Sequence, residues 1–265
     1  MKQLKITVIT VCLNSEKTIE RTIESVLRQT YDNYEYIIVD GGSKDRTLSI
    51  IEQYRDKFGN KMILISEPDK GLYDAMNKGI KIASGDAIAI INSDDYLEHD
   101  ALENINKGFV ISYADVVCGN IAFVKKDKYN KEYKTIDSTL DFTKANKSIY
   151  KRIRHYSHPS TIIKKCVYDQ CGLYDDQYHI SADYDFMIRM ILNKVKMHYI
   201  NNTICYFTMN GVSQSQRARG IKENKDINKK YFGDYYSLFF FGKESILITL
   251  KRLVRFKVKW VKRDA

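Results

Sequence analysis

Apolar and polar positions over the first hundred residues switch back and forth between two periods. From Lys5 to Val11 apolar and polar residues alternate with β-branched members, which predicts a strand. Ile19, Ile23, Val26 and Leu27 then fall on one side of a 3.6-residue period, the buried stripe of a helix, with Asn14 and Ser15 as its N-cap. Strands are expected again over Tyr34 to Val39 and Met62 to Ile65, and a helix from about Leu72 to Ala83. Between them Asp40-Gly41-Gly42-Ser43 turns the chain into another helix, its glycines permitting close backbone approach and Ser43 capping the helix. Ala87-Ile88-Ala89-Ile90-Ile91 is an unbroken apolar run after Gly85-Asp86, the pattern of a strand buried on both faces of a parallel sheet.

This β-α repetition with short turns predicts right-handed crossovers and an α/β fold whose Rossmann-like, mostly parallel nucleotide-binding sheet occupies residues 1–110. Beyond it, Ala114 to Cys118 reads as a short strand, Lys125 to Lys147 as a lysine- and tyrosine-rich loop, and Ser157 to Lys164 as a strand. Ser181 caps a helix in which Phe186, Met187, Met190 and Ile191 form the buried stripe, with Asp185 and Arg189 as an internal pair. Residues 111–215 form a second half of the same domain, and residues 216–265 a basic helical tail.

Composition narrows the class. The chain of 265 residues is 44% hydrophobic and 29% charged, enough to bury a full core. Its five cysteines are scattered without a CxxC pair, which favours a reducing compartment and argues against a disulfide framework or zinc ribbon. The amino terminus reads as a strand and not as a signal peptide, and no run of apolar residues is long enough to span a bilayer. The net charge of +10 is concentrated towards the carboxyl terminus. There, in residues 243–265, Ile246, Leu250, Leu253, Val254 and Trp260 recur between lysines and arginines. An amphipathic helix on an anionic membrane surface and a basic helix packed on the domain both fit that pattern; the first is preferred for its exposed Trp, and no nucleic-acid partner is expected.

Candidate chemistry lies at the predicted strand ends, where Asp40, Asp69, Asp94 and Asp95 fall. In an open α/β sheet ligands bind outside the carboxyl ends of the strands. Adjacent carboxylates there suit Mg²⁺ or Mn²⁺ carrying a phosphorylated substrate, while Asp40 is able to accept hydrogen bonds from a base or ribose. An Asx turn leading to a helix near Asp100 reads Asp94 and Asp95 without any ligand. Neither GxGxxG nor GxxxxGK[ST] occurs, so an ordinary dinucleotide site and a P-loop are unsupported.

Val39-Asp40-Gly41-Gly42-Ser43-Lys44-Asp45-Arg46-Thr47 resembles a turn of family 2 glycosyltransferases. Asn77-Lys78-Gly79, Ala83-Ser84-Gly85-Asp86 and Ile91-Asn92-Ser93-Asp94-Asp95 follow in that family's order. Glu67-Pro68-Asp69-Lys70-Gly71-Leu72-Tyr73-Asp74-Ala75-Met76-Asn77 is similar to the bacterial branch that builds O-antigen, capsule and lipooligosaccharide. The resemblance implies a GT-A fold, a nucleotide-sugar donor with UDP-hexose as first choice, a divalent cation (Mn²⁺ or Mg²⁺), and a lipid-linked or oligosaccharide acceptor. By position it implies Val11, Leu13 and Asp40 around the base, Asp69 and Lys70 on the donor side, Asp94 on ribose or metal, and Asp95 or Asp94 on the metal. Ile180 to Met190 resembles the family's segment whose first Asp is the general base, which points to Asp183; there an acid in a first helical turn also has a purely stabilising reading. His158 reads as an acceptor contact or as a satisfied structural histidine. An inverting single displacement at the inner face of the plasma membrane, by a cytoplasmic peripheral enzyme, is the expected activity. A sugar nucleotidyltransferase, which would normally show a Gly-rich phosphate loop where Val11-Cys12-Leu13-Asn14 stands, and a non-catalytic polyanion binder are the competing readings.

Overall fold

The computed structural model describes residues 3–126, 132–137, 158–209 and 216–233. The amino-terminal part runs β1 (Ile6–Cys12), α1 (Ile19–Leu27), β2 (Tyr34–Asp40), α2 (Thr47–Glu52), α3 (Arg55–Phe58), β3 (Met62–Ser66), α4 (Leu72–Ile82) and β4 (Ala87–Asn92). It continues through β5 (Tyr96–Leu97), α5 (Ala101–Ser112), β6 (Val116–Lys126), β7 (Glu132–Asp137), β8 (Thr161–Lys164), α6 (Lys165–Cys171), α7 (Ala182–Leu192) and β9 (Met197–Thr208). One sheet holds all the strands in the order β3-β2-β1-β4-β8-β6-β9-β5, with β7 added to β6. Strands β3, β2, β1 and β4 are parallel, whereas β8 pairs antiparallel with both β4 and β6. The fold is thus α/β and mostly parallel in its first half, as the alternation predicts.

The chain divides into two compact units, Met1–Ser215 and Gln216–Ala265. The second unit contains a helix over residues 217–233 in which Arg219 pairs with Glu223 one turn on at 3.0 Å. The membrane tail expected over 243–265 lies outside the described residues. Among the described residues no helix is long and apolar enough to cross a membrane.

Every residue of β1 and β2 is buried, and β4 is buried up to Asn92. Ile6, Val8, Ile38, Ala89 and Ile91 share one core with Ile19, Ile23 and Val26 of α1 and Ile105 and Phe109 of α5. On the opposite face α4 lies so close that a Cβ on Gly79 would stand 2.7 Å from Ile9 Cγ2 and 3.4 Å from Val39 Cγ2. Glycine at that point removes the side chain that would hold the helix off the sheet.

Burying both faces also encloses the polar members of β1 and β2, which the alternation alone would leave in solvent. Glu35 Oε1 accepts Thr7 Oγ1 and Ser84 N, each at 2.6 Å, while Oε2 accepts Lys5 Nζ at 2.8 Å and the Ser84 hydroxyl. Burial pushes the Glu35 carboxyl up, but the Lys5, Ser84 and Thr7 donors outweigh it and hold its pKa down from 4.5 to about 2. Gly85 N donates to Thr7 Oγ1 at 3.0 Å and Asp86 Oδ2 accepts Lys5 N at 2.8 Å, so Ser84-Gly85-Asp86 fastens the first strand.

Three expectations are corrected. The helix after β1 starts at Ile19, preceded by a turn in which Thr18 N and Ile19 N both donate to Ser15 O at 3.0 Å, so neither Asn14 nor Ser15 is its cap. Ser43 caps no helix, because its hydroxyl is drawn to the Asp40 carboxylate and α2 begins only at Thr47. Within the stretch expected as a loop from Lys125 to Lys147, β6 extends to Lys126 and Glu132–Asp137 pairs antiparallel with it. Residues Glu132 to Ile136 are exposed, and a strand held by ladder hydrogen bonds with no buried face leaves no apolar period to read. The remainder of that stretch lies outside the described residues.

Two stability outcomes follow. Glu35→Gln should cost roughly 2–3 kcal/mol at pH 7, since it removes a charged acceptor from a buried cluster. A carboxyl depressed in the folded state stabilises fully above its unfolded value and loses that contribution as pH falls through its folded one, so the variant's urea midpoints should flatten between about pH 4.5 and about pH 2. Gly85→Ala would place a Cβ 2.7 Å from Thr7 N and 2.8 Å from Lys5 O, and should lower stability by about 1–3 kcal/mol in thermal or urea unfolding.

Candidate active site

Parallel pairing sets Cys12 opposite Asp40, Val11 opposite Asn92, and Asp40 opposite Ser66. The carboxyl ends of β3, β2, β1 and β4 therefore finish at one rim, and the loops that leave them are tied together by short polar side chains. Asp40 is fully buried; its Oδ2 accepts Gly42 N at 3.1 Å, Ser43 N at 3.0 Å and Ser66 Oγ at 2.8 Å, and its Oδ1 accepts the Ser43 hydroxyl. Asn14, at φ 50, donates N–H to Ser43 Oγ at 2.8 Å and accepts Lys44 N on its Oδ1 at 2.9 Å. Asp45 Oδ1 accepts Thr47 N at 3.0 Å and Thr47 Oγ1 at 2.6 Å, while Thr47 Oγ1 accepts Ser15 N at 2.7 Å. Ser15 Oγ meets Ser93 Oγ at 2.7 Å, which carries the tie across to the loop after β4.

On the β2 side, Val11 is buried at the end of β1 while Leu13 is 54% exposed. Leu13 and Asp69 both crowd the space a Cβ on Gly41 would take, so Leu13, Gly41 and Asp69 converge. Asp69 Oδ1 accepts Gly71 N at 2.9 Å, and the carboxyl is pushed up by burial, with the Gly71 amide and Lys78 opposing. Lys70 is exposed and makes no ion pair among the described residues, while its amide donates to Asp74 Oδ2 at 3.0 Å.

Asp94 and Asp95 are set differently. Asp95 is fully buried, its Oδ1 accepting Thr208 N at 2.9 Å and its Oδ2 accepting Asn92 Nδ2 at 3.3 Å. The backbone of the turn is gripped as well: Thr208 Oγ1 donates to Asp94 O at 2.7 Å and Thr22 Oγ1 to Asp95 O at 2.6 Å. Arg21 reaches Asp94 O at 3.4 Å while its guanidinium lies 4.3 Å above the Tyr96 ring. The Asp94 side chain is half-buried and receives no hydrogen bond from another described residue. Burial pushes the Asp94 carboxyl up, and burial followed by the Asp94 charge pushes Asp95 well above the usual range. Asn92 Oδ1 is buried with no hydrogen-bond partner among the described residues.

These features fit a divalent cation. Two desolvated carboxylates and an orphaned amide oxygen are hard donors whose crowding a cation would relieve. Among the described residues no cluster of three or more His, Cys, Asp or Glu converges, so a cation here would be held by one or two carboxylates together with substrate phosphates.

Asp183 lies in the first turn of α7, partly buried, and its Oδ1 accepts Tyr184 N at 2.8 Å and the Tyr73 hydroxyl at 3.1 Å. Asp185 and Arg189 form the expected pair at 2.8 Å, and the same guanidinium caps α6 through Leu173 O at 2.8 Å and Cys171 O at 2.5 Å. Asn77 holds the segment before α7 by both backbone groups of Tyr174, donating to its O at 2.9 Å and accepting its N at 3.0 Å. His158 is 8% exposed, with Nε2 unpartnered. Burial pushes its pKa down and the Asp183 charge pushes back, so it is close enough to feel that carboxylate but does not stand at an open surface.

The rim therefore brings together Leu13, Asp40, Asp69 and Asp94; Asp69 binds the Gly71 amide just before α4, and Tyr73 in the first turn of that helix reaches Asp183. Sequence reasoning missed Tyr73, Arg21 and the free acceptor of Asn92. A tyrosine one residue into the helix that follows the donor-side loop was a signal for the first; nothing local marks the other two.

Comparison with known proteins agrees with this architecture. The model of Glycosyl transferase family 2 matches residues 7–172. A PGL/p-HBAD biosynthesis glycosyltransferase of Mycobacterium bovis is 29% identical over 189 residues, covering 68% of this chain and 67% of the relative. The putative glycosyltransferase EpsH of Bacillus subtilis is 36% identical over 127 residues, covering 48% of this chain and 35% of EpsH. Among solved structures, S. aureus TarS 1-349 in complex with UDP-GlcNAc superimposes with a TM-score of 0.69 at 21% identity, covering 84% of this chain and 65% of the TarS 1-349 chain. The mannosyltransferase PcManGT from Pyrobaculum calidifontis, in complex with GDP-Man and Mn²⁺, gives a TM-score of 0.65 at 17% identity, covering 88% of this chain and 66% of PcManGT. With more than half of its length matched by the family and a sheet of the GT-A kind carrying its acids at one rim, the chain belongs to glycosyl transferase family 2.

Proposed function

We propose that the chain transfers a sugar from a nucleoside diphosphate sugar, UDP-hexose first, to a membrane-linked glycan acceptor with inversion at the anomeric carbon. The observation that carries this reading is the half-buried Asp94 carboxylate, hydrogen-bonded by no other described residue, on a turn fastened by Thr208, Thr22 and Arg21 and tied through Ser93 and Ser15 to the loop of Asp40. Relatives bound to UDP-GlcNAc or to GDP-Man and Mn²⁺ support the same class of donor.

In this reading Leu13, Val11 and Asp40 bound the base, Asp40 mainly by holding the loop in shape, since its oxygens are engaged by Gly42, Ser43 and Ser66. Asp69 and Lys70 face the donor side, Lys70 as a mobile cation for the diphosphate. Asp94 is the direct ligand for Mn²⁺ or Mg²⁺. Asp95, which the sequence offers equally, is the more enclosed of the two, its Oδ1 held by the Thr208 amide and its Oδ2 by the Asn92 side chain, so it acts by shaping the turn. When bound, the cation supplies charge neutralisation for the departing diphosphate. Asn92 Oδ1 is an acceptor left over for a donor hydroxyl. Asp183 takes the proton of the acceptor hydroxyl as it attacks the anomeric carbon from the side opposite the leaving group, and no covalent enzyme intermediate is required. His158, low in pKa and near Asp183, borders the acceptor side as a neutral imidazole. Residues 243–265 would keep the enzyme at an anionic membrane surface where such acceptors lie.

The test is metal-dependent release of UDP from UDP-hexose by the purified chain, using a panel of nucleotide sugars. Asp183→Asn should reduce turnover about 10²–10⁴-fold with donor binding retained. Asp94→Asn should weaken Mn²⁺-dependent UDP binding in calorimetry and reduce turnover by about 10²-fold or more. Chelation with EDTA should abolish turnover, restored by Mn²⁺ or Mg²⁺. Wild-type turnover in Asp183→Asn would remove that residue from the role of base.

A further inference from the structure

We propose that Tyr73 is the positioning residue of the Asp183 carboxylate, and that through Tyr73 the donor-side loop 67–71 sets the geometry of the acceptor side. The proposal rests on the reading of Asp183 as the base and adds a residue and a coupling to it.

Tyr73 is 5% exposed, and a phenol enclosed to that degree must find acceptors for its proton. Its hydroxyl lies 2.8 Å from Ile180 O and 3.1 Å from Asp183 Oδ1, so one proton is shared between the backbone entering α7 and the carboxylate on its first turn. Asp183 Oδ1 also receives Tyr184 N at 2.8 Å. Both donors fall on the same oxygen, and among the described residues none falls on the other. Oδ1 is therefore the anchored atom, and Oδ2 is the atom that receives a proton from an acceptor hydroxyl.

The phenol is itself held. Its ring packs tilted on Tyr174 at 5.5 Å, and Tyr174 is pinned by both hydrogen bonds from Asn77, one turn further along the helix that carries Tyr73. Tyr174 in turn packs on Phe186 of α7 at 5.1 Å. In the other direction Tyr73 follows Gly71, whose amide is bound by Asp69, whose carboxylate fills the space beside Gly41. A donor that orders Asp69 and Lys70 thus acts on the start of α4, and the start of α4 carries the group that aims Asp183.

Tyr73→Phe keeps the ring and removes only the hydroxyl. UDP release from UDP-glucose with Mn²⁺, water serving as acceptor, is the readout. Expected are a 10- to 100-fold fall in kcat with KM for UDP-glucose within about twofold, because the group that aims the carboxylate has gone while the donor side is untouched. Retained calorimetric binding of UDP with Mn²⁺ verifies an intact donor side. Tyr73→Phe combined with Asp183→Asn should be no slower than Asp183→Asn alone. A wild-type kcat in Tyr73→Phe, a loss carried by KM instead of kcat, or losses that multiply in the double variant would overturn the proposal. Full turnover in Asp183→Asn would instead overturn the assignment of the base, a separate result read from a separate protein.

Discussion

The parallel register of β2, β1 and β4 is the constraint on which the rest depends. Because Cys12 stands opposite Asp40 and Val11 opposite Asn92, the loops carrying the acids leave the sheet side by side. A slip of one residue would turn alternate side chains to the wrong face, and both faces are closed by helices, so the register is strongly specified. Glu35 and Thr7 reinforce it from within: a carboxylate enclosed between strands is tolerable only where Thr7, Lys5 and Ser84 all reach it. Thr7 sits within β1, Lys5 just before it, and Ser84 in the turn that leads into β4, so all three reach Glu35 only in this register.

Much of what looks like ligand chemistry along this chain is loop construction. Asp40, Ser43, Asp45 and Thr47 spend most of their hydrogen-bonding capacity on one another and on Asn14, Ser15 and Glu16. Asn77 closes two backbone bonds to Tyr174, and Ser84 serves Glu35. Such residues make a rim that needs little reorganisation when a donor arrives, which is how a preorganised site contributes to rate. Against that background the carboxylates with capacity to spare stand out: Asp94, which no other described residue serves, and Asp183, served on one oxygen only. The thiol of Cys12, by contrast, is pushed up by burial and the Asp40 charge, an inert filler at the end of β1.

Helices α4 and α7 are joined by a cluster of aromatic rings and the two hydrogen bonds between Asn77 and Tyr174. Tyr168 stacks on Phe186 at 5.0 Å, Phe186 meets Tyr174, and Tyr174 meets Tyr73. Packing of this density transmits displacement because it leaves few alternative arrangements. It ties α7 to the helix α4 that follows β3 and leaves it no independent flap.

The sequence by itself determined the alternation of strands and helices through β4, the burial of Ala87–Ile91, and the helix of Asp183 with its Asp185–Arg189 pair. Those features are written in periods of two and 3.6 and in spacings of four residues, which local chemistry fixes. It also located the acids, because strand ends in a parallel sheet point to one side. What it could not show is how differently Asp94 and Asp95 are set, since adjacent identical residues look alike until Thr208, more than a hundred residues away, binds one of them. The roles of Asn14 and Ser43 were misjudged for the same reason: a short polar side chain before a helix is a cap unless a stronger partner from another loop claims it. The strand at Glu132–Asp137 was illegible because an exposed strand is held by backbone bonds to its neighbour and not by any apolar pattern. Tertiary structure alone decided which oxygen of Asp183 is anchored, because the phenol that anchors it comes from a helix far back in the chain, and no spacing encodes that meeting.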